Sequence, residues 1–521
     1  MGVRVGREQS RGAPLKPLDD PTPITGATID VAVRIGWLLR MARLTAPGRS
    51  VPRLADMVTR LQGLGLSTSS SSLHRVETGA VRDDRVVEAY ERALGLQPGS
   101  LRACIDIVCR TFPYAPTERA PLERVTSPEE MSRLHEPVLE GRAHGGQWRD
   151  WARALAQPGN IALPASVARE RVVALMQETV RAVGCSYLTR YDALALLRRS
   201  AYGEVVRSAA AQMLDDPHVQ IVNETLSAVG EAADPETRAW LVDLLADPRD
   251  VVVQGAAIGL GTMVETHGAP DFWRPVLDRL VDLYNEAGPE GERWGWLSHV
   301  LRLLPPDDLA AARPRLAHPP APAGRILHKE SRDAFVRECQ VHAEEASAAL
   351  GLPYQPMLAR LLFEVVADGR SSRSQTSALL LATLPAVREA SIDAIATIAH
   401  EHEDAWLRER ASYRITALIE DRAPRVRAPA PDEEVPFLDV LWQVKAGVPL
   451  PEPTLLGALR TGGVGPGSGI HAVGWSGSPI LERVAAGEGD WPAEIRGAAA
   501  WWLRTGSRLQ DPTDERSLSH H

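Results

Sequence analysis

Apolar positions Val31, Ile35, Leu38, Leu39 and Ala42 recur every three or four residues, so 31–44 reads as an amphipathic helix with one buried face. Ser50 is placed to cap a second helix running to about Gln62, with Pro52 in its first turn. After a turn at 63–67 comes Ser69-Ser70-Ser71-Ser72-Leu73-His74-Arg75-Val76-Glu77-Thr78-Gly79, a short third helix and its exit. A fourth helix is predicted over 84–94 and a fifth over 98–110. Residues 1–28 hold four prolines and no apolar period, and read as a flexible tail. A proline-rich stretch at 113–128 begins a linker that extends to 145. Beyond it the helical period is almost continuous and strand-like alternation is scarce, which predicts an all-α chain.

Within 166–264 the pattern repeats. Asp216-Pro217 aligns with Asp247-Pro248 at an offset of 31, which also maps Ile221-Val222 onto Val252-Val253 and Gly230 onto Gly261. Helix pairs are predicted at 166–183 with 187–199, 202–214 with 218–231, and 235–246 with 249–264. Each proline should open the next helix with its aspartate as cap. Gly255, Ala256, Ala257 and Gly259 should let neighbouring helices approach closely. These units resemble short bacterial HEAT-type repeats, which implies an α-solenoid over 146–425 whose stacked pairs share one core. Residues 426–521 read as a further helical region, interrupted at 461–479 by a glycine-rich surface loop. The terminal Ser517–His521 reads as including a tag remnant.

Composition narrows the function classes. The 44% apolar and 24% charged residues are globular values, and no apolar run is long enough to span a membrane. Four cysteines without a CxxC pair suit a reducing cytoplasm. Only Lys16, Lys329 and Lys445 are lysines, and none follows a glycine, so no P-loop is present. The net charge of −9 divides into +5 over residues 1–115 and −14 over the rest. A basic head on an acidic body suggests one phosphate-facing end.

The five-helix segment at 29–112, and above all Leu73-x-x-Val76-Glu77-x-Gly79 with Val86-Val87 and Leu94-Gly95-Leu96 downstream, resembles the Cro/phage-repressor (xenobiotic-response-element type) helix-turn-helix family. Joined to HEAT-like repeats, it has the look of actinobacterial transcriptional regulators. The resemblance implies that Ser69 caps the recognition helix or touches phosphate. It implies that Ser70, Ser71, Ser72 and Arg75 face base edges, with Arg75 as main reader because a guanidinium can grip guanine bidentately. Ser50, Arg53 and Arg82 are the flanking phosphate candidates. Leu54-Ala55 lies 23 residues before Glu77, farther than is usual in the family, which leaves the helix crossing open.

Catalytic chemistry is poorly represented, and no cofactor or metal is expected. His400-Glu401-His402-Glu403-Asp404 lacks the second histidine of HExxH and reads as a solvated turn. Gly474-Trp475-Ser476-Gly477-Ser478 lacks the last glycine of a nucleophile elbow. Trp294, Trp296, Trp491, Trp501 and Trp502 fit gaps between helices better than a ligand pocket. The expected function is a non-enzymatic, sequence-specific transcriptional regulator on double-stranded DNA. It would be a homodimer associated with the nucleoid, its body docking an effector, a protein partner or RNA polymerase. The alternatives are an interaction scaffold localised by the head and, further off, a nucleic-acid enzyme of the HEAT-like glycosylase type using Arg198, Arg199 and Arg207.

Overall fold

The computed structural model describes residues 16–114, 125, 127–160, 162–268, 271–322, 325–424, 437–460 and 463–512. Among them lie 26 α-helices and no strand; a lone bridge pairs Ala182 with Leu509. The first five helices are α1 (Val31–Thr45), α2 (Leu54–Gly63), α3 (Ser70–Glu77), α4 (Asp84–Leu94) and α5 (Ser100–Thr111). Next come α6 (Pro128–Leu139) and α7 (Gly145–Ala156). The repeat region holds α8 (Ala165–Thr179), α9 (Gly184–Arg198), α10 (Gly203–Leu214), α11 (Asn223–Val229), α12 (Pro235–Leu244) and α13 (Asp250–His267). It is followed by α14 (Leu277–Ala287), α15 (Gly291–Leu301) and α16 (Pro306–Ala312). A second helical stretch comprises α17 (Lys329–Ala349), α18 (Pro356–Ala367), α19 (Ser371–Ala382), α20 (Pro385–Glu401) and α21 (Ala405–Arg414). The last is α22 (Phe437–Lys445), α23 (Glu452–Arg460), α24 (Gly469–Ser476), α25 (Ile480–Ala486) and α26 (Ala493–Thr505).

The helices of the repeat region pack on their successors, α8 on α9 and α10, α11 and α12 on α13, α13 on α15, consistent with a helical solenoid. Gly255 and Gly259 bring α13 against α11: a Cβ at Gly259 would lie 2.7 Å from the Leu226 carbonyl oxygen. The aspartates of the repeat act differently from expectation. Asp216 and Asp247 do not cap helices; each accepts the amide of the residue two ahead, closing an Asx turn. As a result α11 starts at Asn223 rather than 218, and residues 219–222 run non-helical and buried. Asp234 is the aspartate that caps, accepting Thr237 N at 2.8 Å with Pro235 in the first turn.

Two apolar cores form. One joins α6–α16 to α22–α26; the other joins α1–α5 to α17–α21. Helix α5 lies between them, giving Ala103 and Ile107 to the first and Cys104, Ile105 and Val108 to the second. This changes the reading of α1. Its amphipathic pattern predicts one buried face, yet every residue from Arg34 to Arg43 is buried. Helices α3 and α4 cover one side and α20 lies on another.

Three further expectations meet the structure. Of the expected flexible tail, residues 1–15 lie outside the described residues, but Asp20 is buried against Arg34 and the backbone around it is held by Arg360, Arg370 and Arg373. Of the expected linker, 115–124 and 126 lie outside them. Residues 128–139 form α6, started by a complete capping box between Ser127 and Glu130. Of the glycine-rich loop, 461 and 462 lie outside them, and 469–476 is helix, not loop. A Cβ at Gly469 would strike the Ala458 carbonyl oxygen at 1.8 Å, and one at Gly474 the Trp502 ring at 2.1 Å. The glycines allow close packing there. Residues 517–521 also lie outside the described residues.

Candidate nucleic-acid interface

Helix α3 is short, and its two faces differ. Leu73, Val76 and Glu77 are buried, at helical spacing, while Ser69, Ser70, Ser71, Ser72, His74 and Arg75 are exposed. Ser69 caps the helix as expected, its hydroxyl accepting Ser72 N at 3.2 Å. The buried glutamate anchors the other end. Arg43 of α1 donates to both Glu77 oxygens, Nε at 2.6 Å and Nη2 at 2.7 Å, and the Tyr90 hydroxyl of α4 donates at 2.8 Å. A planar guanidinium fork fixes direction as well as distance, so α3 is held at one angle to α1. Burial and the adjacent Glu77 push the Tyr90 phenol well above its ordinary value, keeping it a hydrogen-bond donor.

Gly79 then lets the chain leave. Its φ is +76°, and a Cβ there would lie 2.4 Å from the Ala32 carbonyl oxygen. Opposite it, a Cβ at Gly36 would lie 2.6 Å from Gly79 N. Gly79→Ala should therefore combine left-handed strain with overpacking and cost about 2–5 kcal/mol. The readout is the urea midpoint; an unchanged midpoint would mean the two backbones can part without loss.

The flanking positions divide. Ser50 and Arg53 are exposed, but Ser50 does not cap α2. Arg43 Nη1 binds the carbonyls of Val51 and Pro52 at 2.7 and 2.8 Å, and Val51 N donates to the Arg43 carbonyl at 2.8 Å. Residues 51–52 are thereby held outside the helix, which begins at Leu54 with Arg53 at its N-cap. Arg82 requires correction as a phosphate candidate. It is 5% exposed and its guanidinium reaches Asp84 and Asp106, both at 3.2 Å, and the Cys109 sulfur at 2.8 Å. Burial pushes the Cys104 and Cys109 thiols up to about 12, so neither is a thiolate near neutrality.

No family model and no curated protein matches the chain. Arg49, Arg53, Arg60, His74, Arg75 and Arg92 are exposed and pair with no carboxylate among the described residues. Asp56 is the one exposed carboxylate on α2 and α3. Arg53 and Arg60 belong to α2 and its N-cap, and α2 packs on α3, whereas Arg49 lies beside Gly95 at the end of α4. Six residues, 64–69, connect α2 to α3, and Gly65 at φ +86° turns the chain there.

Of the arginines that a nucleic-acid groove on the body would use, two are occupied and, among the described residues, one is not. Arg198 is buried beside Asp234 and donates to Thr237 Oγ1 at 2.8 Å; Arg207 pairs with Glu204 at 2.7 Å; Arg199 is exposed. His402 lies 3.2 Å from Glu338, and His400 meets Trp442 edge-on. Ser476 lies on α24, its hydroxyl donating to the Val473 carbonyl at 2.7 Å. The tryptophans do not form one group. Trp501 and Trp502 pack together in α26, whereas Trp294 of α15 donates to the Tyr284 hydroxyl at 2.7 Å.

Proposed function

We propose that the chain is a sequence-specific DNA-binding transcriptional regulator, with α3 entering the major groove. The observation that carries this reading is the disposition of α3. Its outer face presents Ser70, Ser71, Ser72, His74 and Arg75, α2 with the exposed Arg53 and Arg60 packs beside it, and α1 and α5 pack against the body. A rigid helix bearing exposed donors with uncompensated positive charge around it suits groove insertion. The serines discriminate weakly because a hydroxyl both donates and accepts, so Arg75 is assigned the main reading role. Arg53, with Arg49 and Arg60, takes phosphate; the buried Arg82 is left out. A net +5 over the first 115 residues is modest, so a homodimer on a pseudo-palindrome is part of the proposal, the body serving partner or effector docking. No helix among the described residues is long and apolar enough to cross a membrane.

Arg75→Ala should cost about 1–3 kcal/mol on the operator and relax preference at one base pair. Arg53→Ala should weaken every sequence alike and lower the salt slope by about one unit. Genome-wide footprinting supplies the operator, and titration on operator and scrambled DNA at several salt concentrations separates the two effects. An operator-to-scrambled ratio untouched by Arg75→Ala would remove Arg75 from the reading role.

A further inference from the structure

Residues 507–512 return to the first core and carry a carboxylate, that of Asp511, held as a bound anion would be. Arg190, 1% exposed, donates to Asp511 through Nη1 at 2.7 Å and Nη2 at 2.8 Å. Gly145 N at the start of α7 donates at 2.8 Å, and Gln97 Nε2, from the turn between α4 and α5, at 3.0 Å. Four donors from three parts of the chain converge on one side chain. The segment that delivers it is anchored at Arg508, whose N donates to the Trp475 carbonyl at 3.2 Å and whose guanidinium reaches the Lys445 and Glu420 carbonyls, so residues 509–511 extend from a fixed point. Leu509 exchanges two backbone hydrogen bonds with Arg181 and Val183, and Asp511 N donates to Ser186 Oγ at 2.8 Å.

Beside the carboxylate lies a cavity of about 260 Å³, open to solvent, with Arg142, Glu178, Arg181 and Arg190 on one side and Leu509–Pro512 themselves forming the other, so that release of 509–511 would enlarge it. Arg181 spends Nη1 on the Ser507 carbonyl at 3.1 Å, but its Nε is buried with no partner. Glu178 is already taken by Trp148 Nε1 and Arg190 Nε, at 2.9 and 2.8 Å. Arg142 pairs with Glu140 at the rim. Without Asp511, Arg181 and Arg190 would face Glu178 alone, leaving uncompensated positive charge and a buried donor.

We propose that this cavity is a binding site for a small organic anion of the dicarboxylate class, and that Asp511 is its built-in competitor. One ligand carboxylate takes the four donors of Asp511; the other reaches Arg181. Binding expels residues 509–511 and breaks the Gln97–Asp511 hydrogen bond between the segment and the five-helix unit. The site is independent of the DNA-binding reading, and its test uses no DNA.

Succinate serves as probe on the full chain, with succinamide as its uncharged isostere and sulfate as a control for ionic strength. Calorimetric titration should show saturable succinate binding in the wild type. In Asp511→Asn affinity should rise at least about tenfold, because a tethered competitor of millimolar effective concentration has lost its charge. Arg181→Gln should reverse that gain. Hydrogen exchange on the wild type guards against a poorly folded variant: saturating succinate should expose the Leu509 and Asp511 amides, and succinamide should not. Equal responses to sulfate and succinate, no gain in Asp511→Asn, or bound succinate with those amides still protected would each overturn the proposal.

Discussion

Glu364→Ala is expected to destabilise the protein by about 3–5 kcal/mol, the cost of leaving buried cations without their counter-charge. Glu364 is fully buried on α18. It accepts Arg34 Nη1 and Nη2 at 2.7 and 2.8 Å, Arg360 Nε at 3.0 Å, Arg373 Nη2 at 2.5 Å and the Ser377 hydroxyl at 2.6 Å. Arg34 is equally buried and its remaining donor holds Asp20 at 2.7 Å. Burial alone would raise the Glu364 carboxyl, but the hydrogen bonds and charge of Arg34, with Arg373 and Ser377, outweigh it and bring it down to about 2 from 4.5. A group depressed on folding adds stability that is complete above its unfolded value and is lost as pH falls through the folded one. Stability should thus decline from about pH 5 toward pH 2, with Glu364 responsible for roughly 3 kcal/mol of the loss. Urea midpoints of wild type and Glu364→Gln, compared at pH 7 and pH 3, test this. The gap between them should narrow at the lower pH, and a constant gap would mean the carboxylate charge is not what stabilises the cluster.

The fragment 1–115, made alone, is expected to show no cooperative unfolding transition and to bind DNA far more weakly than the whole chain. Its own core is incomplete, since α1 and α5 are buried partly against α19, α20 and α9. Cutting there also strands charges. Arg34 loses Glu364 and Asp20 loses Arg360; Arg110 loses Asp192 at 2.7 Å and Glu231 at 3.0 Å; Asp106 loses Arg149 at 2.8 Å. Exposing a buried apolar face while unpairing ionised groups removes more than a unit of this size holds in reserve. Circular dichroism across a urea titration is the measurement. A sharp transition, with DNA affinity and salt slope equal to those of the full chain, would show that the five helices need none of the body.

Helix positions are local properties, and they were legible. The period of Val31–Ala42, the serine run before Leu73 and the apolar pair at Val86-Val87 placed five helices close to where they lie, because 3.6-residue periodicity is written into neighbouring residues. The outward placement of Ser70–Ser72 and Arg75 came from the helix-turn-helix resemblance, and these residues are exposed. The capping box that begins α6 was equally local, and the prolines around it obscured it. Partnership is different. Arg82 and Arg75 are both arginines beside one short helix, and only the arrival of Asp84 and Asp106 makes the first structural while the second stays free. Glycines at 469 and 474 spell a loop until α23 and Trp502 are seen pressed against them. The all-round burial of α1, the shared core with α17–α21 and the carboxylate of Asp511 beside Arg190 join residues hundreds of positions apart. A sequence fixes which face of a helix is apolar; what covers that face, and which charges meet there, is decided when distant segments fold together.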